Sequence, residues 1–136
     1  MATPPAGYSG TPLWRKLGLA AGQRLHIRMA PPAFDDLIAG PPADVPRLAR
    51  LADFDIAIQF VTARTELDRS LELLLPPLHP HGVIWIAWPK KAAKVTTDIT
   101  EDVVRACALP RGLVDVKVCA IDAIWSGLKL MRRRTV

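Results

Sequence analysis

The chain carries no glycine-rich loop after its first strand-like segment, and that absence narrows its function more than any motif present. Residues 24–30 alternate apolar and polar side chains and run directly into Pro31-Pro32. Nucleotide-binding α/β proteins place glycines at this point, because only glycine lets successive backbone N–H groups close on a phosphate or cofactor. Proline has no N–H to donate. Cysteine is almost missing as well. Cys107 and Cys119 are the only thiols, which suits small hydrophobes in a reducing compartment rather than a disulfide framework. No apolar run approaches the roughly 20 residues needed to span a bilayer. The longest candidates, 82–88 and 71–75, are of strand length or stop at Pro76-Pro77. Residues 1–10 are small and proline-rich, without the basic start and apolar core of a secretory signal. These absences predict a cytoplasmic protein with no membrane association. A length of 136 residues with 50% apolar composition predicts one α/β domain over 1–136, with 1–10 loosely ordered.

What is present is charge at one end. The formal net charge is +5, and the whole excess lies beyond residue 83: that part holds ten Lys and Arg against five Asp and Glu, whereas 1–83 is balanced. Such a region favours anionic partners, although a solvated basic surface has the same composition.

Periodicity gives the elements. Residues 24–30 read as a half-covered strand, with Leu25, Ile27 and Met29 opposite Arg24, His26 and Arg28. Residues 55–62 and 82–88 are apolar on both faces, as in central strands of a parallel sheet. Between them, 65–75 has Leu67, Leu71, Leu74 and Leu75 at helical spacing, with Thr65 and Asp68 placed as cap and reciprocal acid. A second helix is predicted over 98–109 with Asp98 and Glu101 in those roles. Residues 113–121 and 125–132 predict an antiparallel hairpin in which Val114, Val116 and Val118 face inward and Asp115 and Lys117 face solvent. Short helices at 11–17 and 33–39 and an edge strand at 45–51, weakened by Pro46, complete the prediction.

The segment running from Phe54-Asp55-Ile56 to Val61, the helix after it, the turn Leu78-His79-Pro80-His81-Gly82 and the next strand resemble the C-terminal half of S-adenosylmethionine-dependent methyltransferases. Over nearly its full length, Tyr8-Ser9-Gly10-Thr11-Pro12-Leu13, Lys16-Leu17-Gly18, Pro89-Lys90-Lys91, Lys94, Asp98-Ile99-Thr100 and Trp125-Ser126 also resemble a small bacterial family of uncharacterised proteins. The resemblance implies a shortened Rossmann-like, three-layer, mostly parallel sheet closed by a C-terminal antiparallel hairpin, and supplies no activity. In those enzymes a glycine loop holds the cofactor where this chain has Met29-Ala30-Pro31-Pro32-Ala33, so no cofactor is expected here.

Ligands of open α/β sheets sit outside the carboxyl ends of the strands. That rim gathers Thr62, Arg64, Lys90, Lys91 and Lys94, with Thr96, Thr97 and Asp98 following, as a candidate site for a small anion. His79 and His81 fall at the opposite end of the sheet without an acidic or thiol neighbour, so no metal is expected there. His26 is read as half-exposed. Ser9, Ser70 and Ser126 lack a nucleophile elbow, and no catalytic residue is assigned. Trp85 and Trp88 should point to opposite faces of their strand; Trp14 and Trp125 belong to the core or to an interface between copies. Residues 132–134 read as a solvated basic tail, with nucleic-acid binding weak at most. The sequence thus predicts a non-catalytic binding or interaction module, with a small enzyme or cofactor or nucleotide binder at the same rim as the alternative and homo-oligomerisation as a third option.

Overall fold

In a computed structural model of the protein, residues 10–40 and 44–134 are described. Five strands form one sheet: β1 (Leu25–Arg28), β2 (Phe54–Phe60), β3 (Leu78–Pro89), β4 (Leu113–Ala120) and β5 (Trp125–Arg132), in the order β1-β2-β3-β5-β4. β1 to β3 pair in parallel, whereas β5 is antiparallel to both β3 and β4. The sheet is therefore mixed: two of its four pairings are parallel, and β5 alone runs against the rest.

Two apolar cores flank it. Helices α3 (Arg64–Leu74) and α4 (Glu101–Ala108) press Leu67, Leu71, Leu74, Val104 and Cys107 onto Ala57, Ile84, Ile86, Trp88, Leu128 and Leu130. On the other side, the short α1 (Leu13–Leu17) and α2 (Phe34–Leu37) cover Ile56, Ile58, Phe60, Trp85 and Ala87 with Leu17, Phe34 and Ile38. This is the expected three-layer arrangement, with Trp85 and Trp88 on opposite faces. Trp14 and Trp125 are part-buried against the second core.

Several local expectations need correction. β3 begins at Leu78 rather than at residue 82, because Phe54 pairs with Leu78 across an irregularity before Ile56 meets Val83. The segment 45–51 contributes a single bridge, Leu25 to Arg47, instead of an edge strand. Helix α3 starts one residue early, after an extended Ala63. Its cap is Glu66, whose Oε1 accepts from the N–H groups of Thr62 (2.9 Å) and Ala63 (3.0 Å); Asp68 pairs with Arg111 instead. Thr100, not Asp98, caps α4, accepting from the Val103 N–H at 3.2 Å. Val116 and Val118 are each 48% exposed, because a bulge between Asp115 and Lys117 breaks the alternation that would have turned them inward. His26 is buried, at 4% exposure, under a loop whose Leu48 carbonyl accepts from its Nδ1 at 3.0 Å. The tail is partly anchored: Arg132 ends β5 and donates to the carbonyls of Leu75 and Leu78, and Arg133 donates to that of Leu109.

The caps also set the acid limit of the fold. The two N–H groups and the Thr62 hydroxyl hold the Glu66 carboxyl below its ordinary value, and the Arg24 guanidinium does the same for Asp55. Carboxyls depressed by folding stabilise above their unfolded pKa, and that contribution is lost as pH falls through the folded value. Denaturant midpoints should be level from neutrality down to about pH 5 and fall below about pH 4. The Asp55→Asn/Glu66→Gln variant should start lower at neutral pH and show a shallower acid fall. An unchanged acid slope in that variant would rule out the two carboxyls as its source.

Candidate functional site

Parallel pairing dictates that β2 and β3 end at the same edge. Phe60 is level with Ala87, and the Val61 N–H donates to the Ala87 carbonyl at 2.9 Å, so Thr62 and Arg64 leave the sheet on the same side as Lys90, Lys91 and Lys94. The two loops are stitched together. The Thr97 hydroxyl donates to the Thr62 carbonyl at 2.6 Å, and Asp98 Oδ1 accepts from the Arg64 N–H at 2.7 Å.

Those bonds take several backbone donors that an anion would use. Glu66 accepts from the Ala63 N–H just before α3, Asp98 from the Arg64 N–H that opens it, and the Lys90 N–H donates to the Ile124 carbonyl. The Thr62 hydroxyl also donates to Glu66, at 3.1 Å. What the rim offers is side-chain charge: no lysine forms an ion pair among the described residues. Lys91 opens a short 3-10 turn, Lys91–Ala93, closed by Lys94 in the left-handed region (φ 56°), and both lysines are exposed.

The crevice beyond the strand ends on the α1–α2 side is filled with rings. The Pro31 carbonyl accepts from the Phe34 N–H at 3.0 Å, starting α2 and driving Phe34 to complete burial. Phe34 meets Phe60 edge to face at 4.9 Å, and Phe60 meets Trp125 in the same way at 5.0 Å. Trp14, on the same side, stacks with Arg15 and borders Gly40.

On the opposite side, an open groove of about 170 Å³ lies between the ends of β1 and β2 and the face of α3. It is lined by Arg28, Met29, Gln59, Phe60, Glu66, Arg69, Ser70 and Leu73, none of which was among the predicted site residues. Arg28 Nε donates to Gln59 Oε1 at 2.9 Å, and Gln59, 2% exposed, donates in turn to the Phe60 carbonyl. One signal was in the sequence: Gln59 is the single polar side chain inside an otherwise apolar strand beyond Asp55, at the same depth as Arg28. Met29, 73% exposed with φ 58°, forms the lip. The Ser70 hydroxyl donates to the Glu66 carbonyl at 2.6 Å, the posture of a helix-bonded serine rather than of a nucleophile. His79 and His81 sit at the far end of β3 with ring centroids 5.9 Å apart, and the described residues hold no cluster of three or more His, Cys, Asp or Glu that could bind a metal.

No family model and no curated protein matches the sequence. Solved structures do. TrmN from Thermus thermophilus is similar with a TM-score of 0.58 and 10% identity over 88% of this chain, which spans only 47% of that protein's length. A methyltransferase from Pyrococcus furiosus has a TM-score of 0.57 and 11% identity, covering 98% of this chain and 89% of its own. A protein of the NADB-Rossmann superfamily from Streptococcus agalactiae has the same score and identity, over 93% of this chain and 70% of that one. At such identities the likeness concerns the backbone, and the chain has the Rossmann-like fold of the methyltransferases, in a mixed five-stranded form.

Proposed function

We propose that the protein is a non-catalytic binding module on a methyltransferase-like frame, taking a small anionic ligand at the strand-end rim. The observation that carries this reading is the state of Lys90, Lys91 and Lys94: three cations beside one another in the fold, without a carboxylate partner among the described residues. Thr62 and Arg64 complete the site in different ways. Thr62 anchors the loop through Glu66 and Thr97, and Arg64 adds a further cation beyond the same strand-end edge. The ring stack of Phe34, Phe60 and Trp125, standing where a cofactor would enter, supports binding without catalysis. Calorimetric titration with inorganic pyrophosphate should give saturable heat that disappears in Lys91→Ala/Lys94→Ala, and S-adenosylmethionine should give none. Heat retained in that variant would remove the lysines from the site.

A second reading, a small enzyme or cofactor or nucleotide binder, is favoured by the groove at the β1 and β2 ends and by the methyltransferases among the structural neighbours. Its residues would be Arg28, Gln59 and Arg69. Micromolar S-adenosylmethionine binding, abolished by Arg28→Ala, would establish it in place of the first.

A further inference from the structure

The last residue of β1 is an arginine that the fold fixes in place and leaves without a counter-ion. Arg28 and Gln59 are partners in the β1–β2 pairing, and Arg28 Nε donates to Gln59 Oε1 at 2.9 Å. Gln59 is 2% exposed, and its Nε2 donates in turn to the Phe60 carbonyl at 3.0 Å. A buried amide tied at both ends therefore orients the guanidinium. The bond takes only Nε, which leaves the Nη1 and Nη2 edge of the fork for a ligand in the groove that Arg28 lines. Arg24, just before the same strand, gives its guanidinium to Asp55 instead. Neither Arg28 nor Arg69 of α3, which lines the same groove, pairs with a carboxylate among the described residues.

The rest of the lining is apolar or already bonded. Met29 and Leu73 are large apolar side chains left 73% and 43% exposed, and both border the groove. Met29 has φ 58°, a region that residues with a side chain seldom adopt, and such strain persists where the surroundings enforce it. The Ser70 hydroxyl donates to the Glu66 carbonyl, and the Gln59 amide is spent on Phe60. Glu66 is the single carboxylate of the lining, and its Oε1 is taken by the Thr62 and Ala63 N–H groups. Set against the two guanidinium groups, it leaves the groove with one positive charge.

We propose that this groove binds a small aliphatic monocarboxylate, with its carboxylate on the Nη edge of Arg28 and its tail between Met29 and Leu73. The planar fork of arginine matches a carboxylate through two parallel hydrogen bonds and asks for no further donor. A phosphate group carries more oxygens and more charge, and here it would meet the Glu66 carboxylate with the Ser70 and Gln59 donors already spent. The volume of about 170 Å³ falls below the roughly 300–1,000 Å³ of pockets for drug-sized ligands, which favours a short acid over a nucleoside. The acid site rests on the second reading above for its place in the groove and needs none of the rim lysines.

The test is a titration of the ¹⁵N-labelled protein with hexanoate, followed by NMR. Saturable shifts are expected at the Arg28 Nε–H and at the Met29 and Leu73 amides, with a Kd of about 1 mM. Acetate, which lacks the tail, should bind about tenfold more weakly. Arg28→Lys keeps the charge but removes the fork, and should weaken hexanoate about tenfold. Leu73→Ser, at an exposed position, should weaken hexanoate about threefold and leave acetate unchanged; Lys91→Ala/Lys94→Ala should alter neither. Hexanoate binding unchanged in Arg28→Lys, acetate binding as tight as hexanoate, or inorganic phosphate binding more tightly than hexanoate would each overturn the proposal. S-adenosylmethionine, titrated in the same way, separates the two occupants of the groove. If it binds and Arg28→Ala abolishes that binding, while hexanoate does not bind, the second reading stands and the acid site falls; the reverse result upholds the acid site alone, and binding of neither overturns both.

Discussion

Trp85→Ala is expected to remove roughly 3–5 kcal/mol of stability, the scale for a fully buried tryptophan. Its ring is entirely enclosed, its Nε1–H donates to the Leu17 carbonyl at 2.9 Å, and it sits where β3 meets the α1 layer. The substitution therefore opens a cavity and strips the Leu17 carbonyl of its partner at once. Gly127 makes the cavity worse, because a Cβ there would stand only 3.2 Å from Trp85 Cε3, so that position on the neighbouring strand supplies no side chain to refill the space. Domains of this size are stable by about 5–15 kcal/mol, and the variant should lose a large part of that in urea denaturation. Trp85→Phe should cost less, about 1–3 kcal/mol, since most of the apolar contact survives and the lost hydrogen bond dominates. A loss below about 1 kcal/mol for the alanine variant would contradict the packing described.

The sequence made the centre of this fold legible and its surroundings less so. β2, α3 and β3 are set by local periodicity: apolar strands buried on both faces, joined by a helix with leucines on one side, can fold only as a parallel unit with the helix against the sheet. The first turn of α3 was misread because Thr65 and Asp68 have the spacing of a capping pair, and sequence spacing does not say which acid reaches back. Glu66 does so because Ala63 is extended, which brings the N–H groups of Thr62 and Ala63 under its carboxylate. His26 was misplaced for a different reason. Alternation gave its face correctly, opposite Leu25 and Ile27, but the cover over that face is a loop containing Leu48, and no period in the sequence predicts a loop's path.

The candidate site divides in the same way. The common edge of Arg64 and Lys90 followed from parallel topology alone. That the Arg64 N–H and the Thr62 carbonyl are taken by Asp98 and Thr97 depends on the path of the loop after β3, which topology does not fix. The pairing of Lys117 with Lys129 was hidden by a single bulge. Counting by twos along β4 puts Lys117 with Asp115; the extra residue between them sends Asp115 to Arg105 on α4 and Lys117 to Lys129 on the other side.

Gly82→Ala is expected to cost about 1–3 kcal/mol despite adding one methyl group. A Cβ at this position would lie 2.7 Å from Leu78 Cδ1, 2.9 Å from the Asp55 carbonyl oxygen and 3.0 Å from the His79 carbonyl oxygen. The leucine methyl can rotate away, but the two carbonyls belong to backbone that cannot move freely. Asp55 is held on its other side by Arg24, whose backbone N–H and guanidinium both donate to its carboxylate, and His79 lies in the stretch where the β2–β3 register slips between Phe54 and Ile56. Relieving the clash therefore means parting β2 from β3 at the point where the irregular pairing starts, and the Phe54 N–H bond to the Pro77 carbonyl would lengthen with it. Hydrogen exchange gives the sharper measurement. In Gly82→Ala the amide of Phe54, which donates to the Pro77 carbonyl, should lose protection well before that of Val61, which donates to the Ala87 carbonyl in the regular part of β3. Uniform loss along β2, or stability equal to that of the unsubstituted protein, would show that the two carbonyls yield and that Gly82 is not required by this close approach.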